Sequence, residues 1–228
     1  AIAYKFASQG YNLQLACRNV SLLDAIVKDL RIRYRVTISI HELDILEYEK
    51  FPKFVSGLDP LPDIVLSAVG VLGNQKNNEL DIKSSSIVIK TNFEGPSLLL
   101  GEIANHFEKR KSGSIIGISS VAGERGRESN YIYGSSKSGF TQYLSGLRSR
   151  LYNSNISVLT ILPGFVNTKM TKDLELNSKL TAEPDEVAVS IYRAYLKQKN
   201  IIYIKPIWML IISIIKNIPE FIFKKLKF

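Results

Sequence analysis

The chain has 228 residues, 45% hydrophobic and 22% charged, which suits one α/β domain with a full core and excludes wholesale disorder. One cysteine and two histidines exclude an internal disulfide and a recognisable zinc cluster, and they point to a reducing compartment. The net charge of +9 is uneven: from Leu196 onward seven lysines face one acid, Glu220, so the rest of the chain is only about +3 and is not a basic nucleic-acid binder.

In chain order, Ala1–Gln9 reads as the end of a helix stopped by Gly10. A strand over Asn12–Cys17 precedes a helix that Ser21 and Asp24 would cap, running to about Arg33. Strands are predicted over Val36–Ile40 and Asp63–Val69, the latter apolar enough to be covered on both faces. A long helix spans about Ser84–Lys109, with a kink at Pro96. Then come a strand over Ser114–Ser119, a helix over Asn130–Asn153 and a strand over Ile156–Leu162. Pro184 opens a helix to about Lys199, and Ile201–Ile204 is the last strand. Alternation of this kind signals βαβ units, hence a doubly wound parallel sheet with helices on both faces. One domain over 1–205 is expected, with a basic, apolar segment at 206–228.

Tyr133-Gly-Ser-Ser-Lys137 places a phenol and an amine four residues apart, on one helix face. A second pair, Tyr195 and Lys199, has the same spacing, so spacing alone decides nothing. Context separates them. Ser120 lies thirteen residues before Tyr133 at a strand end, whereas the matching position before Tyr195 is Ala182. Asn92 lies mid-helix upstream, and downstream a strand ends in Pro163-Gly164-Phe165-Val166-Asn167-Thr168. Singly, Ser120 reads as a strand-end cap, Asn92 as a helix-distorting polar residue and Tyr133 as a surface aromatic. Ser119 is the rival to Ser120, but alternation along a strand points it to the other face.

Together, Asn-x-x-Gly, Ser-x12-Tyr-x-x-x-Lys and Pro-Gly-x-Val-x-Thr resemble the short-chain dehydrogenase/reductase family. The resemblance covers the whole chain. It implies a Rossmann-type fold and a nicotinamide-dependent oxidoreductase with Asn92, Ser120, Tyr133 and Lys137 as catalytic tetrad. In that picture Lys137 lowers the pKa of Tyr133 and holds the nicotinamide ribose, while Asn92 supports a water-linked proton path. The cofactor contacts implied are Arg18, Asp44, Ile45, Ala68, Gly70, Asn92, Tyr133, Lys137, Pro163, Gly164, Val166 and Thr168. Arg18 favours NADP, with NAD the alternative, and a solvated strand-end arginine is the plain reading. Ser67-Ala68-Val69-Gly70 stands where the family has Asn-Asn-Ala-Gly, so both asparagines are replaced. The family's glycine-rich turn and first strand are expected before Ala1, in roughly 15–25 residues.

Between Ser120 and Tyr133, Arg125 and Arg127 suit either a solvated loop or a clamp for a substrate phosphate. Pro206–Ile215 is apolar but too short to span a bilayer. With the lysines that follow, it suits a membrane-interface segment, a core helix or an oligomer contact. The arginine loop, Ser129-Asn130-Tyr131 and the tail resemble the decaprenylphosphoryl-2-keto-β-D-erythro-pentose reductases of that family. This implies a keto-sugar on a polyprenyl phosphate as substrate, reduced in the cytoplasm at the inner membrane face. The protein is expected to be a homo-oligomer. A reductase of soluble or acyl-carrier substrates is the rival reading. A non-catalytic binding module is another, against which the complete tetrad argues.

Overall fold

The structure is a computed structural model that describes residues 1–172 and 174–226. Its elements are α1 (Ile2–Ala7), β1 (Leu13–Cys17), α2 (Asp24–Tyr34), β2 (Ile38–Glu42), α3 (Phe51–Ser56), β3 (Ile64–Ser67), α4 (Gln75–Leu80), α5 (Ile82–Ile89), α6 (Gly95–Arg110), β4 (Gly113–Ile118) and α7 (Tyr131–Leu151). After these come β5 (Ile156–Pro163), β6 (Phe165–Val166), β7 (Thr181–Ala182), α8 (Pro184–Leu196), β8 (Ile201–Ile204), α9 (Ile207–Asn217) and α10 (Glu220–Phe223). All strand pairs are parallel. One ladder runs β3–β4–β5–β8, another joins β1 to β2, and β6 pairs with β7. Among the described residues no ladder joins β1 to β3.

The central strands are covered on both faces, and alternation shows it. Ile115 of β4 and Ile156 and Val158 of β5 enter a core built with α3, α6 and α7. Ile116 of β4 and Leu159 and Ile161 of β5 enter the opposite core, with Phe6 of α1 and Val187, Ile191 and Ala194 of α8. On α7, Phe140, Leu144, Leu147 and Leu151 are all buried. Each contributes about 1.5–3 kcal/mol, so this helix is firmly seated where it carries Tyr133 and Lys137.

Local chemistry explains where the elements differ from the sequence reading. Asn19, whose side chain accepts from Ser21 N, caps a 3-10 turn over Val20–Leu23 that leads into α2, and α2 itself has no side-chain cap from the Ser21–Asp24 pair. The long helix breaks before Pro96, in a wide π-turn over Lys90–Glu94 between α5 and α6. Proline has no N–H to give the carbonyl four residues back, which is that of Asn92. Glu183 and Glu186 close a capping box at α8, with Pro184 in its first turn. The short α3 and α4 were not foreseen. The tail packs on the domain: Trp208 and Ile212 of α9 join Val121 and Leu162 in one cluster.

Candidate active site

Every strand of the main ladder except β8 ends toward a cavity of about 400 Å³, the usual place for a ligand in an open parallel sheet. Ala68 and Gly70 follow β3, Ser120 follows β4, and Pro163 ends β5. Tyr133 and Lys137 come from α7. All six residues line the cavity, as do Gly164, Val166, Thr168 and Arg127.

Ser120 sits just past β4 in extended conformation and is 8% exposed. Its hydroxyl accepts from Ala122 N at 3.1 Å and lies 3.4 Å from the Pro163 carbonyl. The neighbouring Ser119 bonds instead to the Lys137 carbonyl (2.8 Å) and to Thr141 Oγ1 (2.7 Å). One hydroxyl therefore ties β4 to α7, and the next faces the ligand space.

Lys137 is 4% exposed and its ammonium donates to the Ile118 carbonyl at 3.0 Å. Burial without a carboxylate partner lowers its pKa to about 8. Burial also raises the pKa of Tyr133, and a hydrogen bond with Ser120 opposes that rise. This reverses the direction expected from the sequence. Lys137 Nζ lies 5.9 Å from the Tyr133 ring centroid and is turned toward a carbonyl. Desolvation outweighs any help the amine gives the phenol.

Asn92 is fully buried in the π-turn. Its amide oxygen accepts from Val71 N and its amide nitrogen donates to Val71 O, both at 2.8 Å. The side chain thus pins the segment after β3. Gly70 fits beside it because it lacks a side chain: a Cβ there would stand 3.0 Å from Asn92 Oδ1 and 3.3 Å from Lys137 Nζ.

Other expected residues lie elsewhere. Arg18 is exposed at the end of β1. Asp44 accepts from Leu46 N at 2.9 Å, and Ile45 is buried in the core against Gly95, so neither lines the cavity. Arg125 is a correction. Its guanidinium donates to the carbonyls of Ile215, Lys216 and Ile218, pairs with Glu220 at 2.9 Å and lies 3.8 Å over the Phe223 ring. A positive charge is favoured at the C-terminal end of α9, and that draws this arginine away from the pocket. Arg127, two residues on, does line the cavity and is partly buried. Its guanidinium has no hydrogen-bond or ion-pair partner among the described residues, and burial lowers its pKa.

The sequence reading passed over several lining residues. Asn130 stands at the start of α7, Met170 and Leu174 come from the segment after β6, and Trp208 comes from the tail. Only Trp208 carried a signal, as the sole tryptophan at the head of an amphipathic stretch.

The profile of the short chain dehydrogenases matches residues 1–179. The chain belongs to that family. Short-chain dehydrogenases are oxidoreductases that work with a nicotinamide dinucleotide, and this one is too. An uncharacterized oxidoreductase of Mycobacterium tuberculosis is 29% identical over 223 residues, covering 95% of this chain and 88% of that protein. The NADP-dependent 3-hydroxy acid dehydrogenase of Schizosaccharomyces pombe is 25% identical over 204 residues, or 83% and 79% of the two chains. A solved short-chain dehydrogenase from Sphingobium yanoikuyae, in complex with NADPH, shares the fold with a TM-score of 0.82 at 20% identity, over 96% of this chain and 91% of that one.

The residues present fit the nicotinamide end of such a cofactor. Lys137 is buried with one carbonyl partner, while an ammonium has three hydrogens to give. Among the described residues no other group takes the remaining hydrogens, which suits ribose hydroxyls. Pro163, Gly164, Val166 and Thr168 form the adjoining wall.

Proposed function

We propose that this short-chain dehydrogenase uses NADPH to reduce the ketone of an anionic keto-sugar carried on a polyprenyl phosphate, at the inner face of a membrane. Bound NADPH supplies the hydride to the carbonyl carbon. Tyr133 donates its phenolic proton to the carbonyl oxygen, so ketone, hydride and proton sum to an alcohol. Ser120 hydrogen-bonds the same oxygen as its charge develops. Lys137 orients the ribose, and its ammonium, once the pocket is filled, steadies the phenolate left on Tyr133. Asn92 keeps the Val71 backbone, and so the cavity wall, in place. Exposed at the end of β1, Arg18 suits the 2′-phosphate that distinguishes NADP from NAD. Several relatives named for NADP or NADPH agree with that choice.

The observation that carries the substrate class is Arg127, a partly buried guanidinium that lines the cavity and has no side-chain partner among the described residues. A cation held so invites an anion, and a guanidinium suits a phosphate by bidentate bonding. Arg127→Gln should raise KM for a phosphorylated keto-sugar about tenfold or more and leave KM for an uncharged ketone unchanged. Equal effects on both substrates would overturn the phosphate role.

The tail supports the lipid carrier. No helix among the described residues is long and apolar enough to cross a membrane. Yet the outer side of α9 and α10 exposes Met209, Leu210, Ile214 and Phe221 at 57–66%, with Lys205, Lys224 and Lys225 alongside. Apolar side chains bordered by lysines match an anionic bilayer surface. The protein should sediment with phosphatidylglycerol vesicles, and Leu210→Glu with Ile214→Glu should release it. Failure of the wild type to bind such vesicles removes the membrane reading. Dissociation of a dimer by the double variant would assign this face to a second copy instead.

A further inference from the structure

We infer that Trp208, carried by the tail helix α9, is a specificity-determining residue of the active-site cavity, the wall that limits the size of the group attached to the reacting carbonyl. The inference rests on the ketone-reducing reading above and not on the lipid carrier.

Three observations converge on this side chain. First, its position is fixed. The indole N–H donates to the Leu180 carbonyl at 3.0 Å, the ring meets Phe165 edge-on at 5.3 Å, and the residue is only 6% exposed. A rigid aromatic so held excludes by shape.

Second, it stands next to the reacting position. The indole lies directly on Gly164, where a Cβ would come within 1.9 Å of the ring, so no other residue fits there without moving the tryptophan. Gly164 follows Pro163, whose carbonyl is 3.4 Å from the Ser120 hydroxyl. The wall and the hydroxyl that grips the substrate oxygen therefore touch adjacent residues, Gly164 and Pro163.

Third, the helix that bears it is latched to the loop that follows Ser120. Arg125 holds three carbonyls at the end of α9 and pairs with Glu220, and Lys216 pairs with Glu124 at 2.7 Å. Tail and loop thus keep one register, and the wall keeps its distance from Ser120. Shape selection at such a wall is worth about 10–200-fold for each methylene.

The test has two arms. With NADPH, kcat/KM is measured for acetophenone, butyrophenone and benzophenone on wild type, Trp208→Phe and Trp208→Ala. The ratio of bulky to small ketone should rise at least tenfold in the alanine variant and less in the phenylalanine variant. In the second arm, emission of wild-type Trp208, the sole tryptophan, is followed on adding NADP+ and then ketone, with the same additions to free N-acetyltryptophanamide correcting for the ligands' own absorption and collisional quenching. A shift at each addition is expected. An unchanged selectivity ratio in folded Trp208→Phe, or emission unmoved by both ligands, would overturn the proposal. If wild type reduces none of these ketones while its emission still responds, the ketone-reducing reading fails and the size-limiting role of Trp208 falls with it.

Discussion

Tyr133→Phe is expected to lower turnover by roughly 10²–10⁴-fold, the span of general acid–base catalysis, while NADPH binds as tightly as before. The phenol lines the cavity within hydrogen-bonding reach of Ser120, and the change removes a single oxygen from a half-buried ring. Steady-state kinetics with a calorimetric binding control would show it. Turnover equal to wild type would remove Tyr133 from the chemistry. Burial holds the Tyr133 proton to higher pH than an exposed phenol would keep it.

The second large effect belongs to Lys137. Its fall from the ordinary 10.5 to about 8 reflects an ammonium buried without a carboxylate, and corresponds to about 3 kcal/mol against the charged form. Below pH 8 both folded and unfolded chains hold the proton, and the burial penalty is fully present. Between about 8 and 10.5 the folded chain has released a proton that the unfolded chain keeps, so stability rises with pH across that window. From pH 7 to 9.5 the gain attributable to this group is about 2 kcal/mol. Lys137→Met should abolish that rise, be more stable than wild type at pH 7, and lose catalysis by at least 10²-fold. Urea unfolding at the two pH values decides it. Parallel pH dependences of wild type and variant would show the amine to be hydrated rather than buried.

What the sequence could disclose depended on the range of the interaction. Ser120, Tyr133 and Lys137 were legible because a strand end, a helix face and a four-residue spacing are local facts, and the fold followed from alternating apolar runs. Arg125 and Arg127 are two residues apart on one loop, with the same charge. Only the tail, ninety residues later, decides that one caps α9 and the other faces the cavity. Trp208 was hidden for the same reason, since its partners Gly164, Phe165 and Leu180 belong to distant segments. The direction of the Tyr133 shift was misread because spacing reveals proximity to an amine but not the burial that outweighs it. A kink at Pro96 was expected within one helix, but not that the helix would break over Lys90–Glu94 and turn the Asn92 side chain onto Val71.

Ser119 has a consequence for how the reaction is prepared. Its hydroxyl joins the end of β4 to the Lys137 carbonyl and Thr141, so the strand that delivers Ser120 and the helix that delivers Tyr133 and Lys137 move as one body. The groups proposed to react are therefore aligned when the chain folds, before any substrate arrives. Binding energy need not assemble them and remains available to distort and orient the ketone.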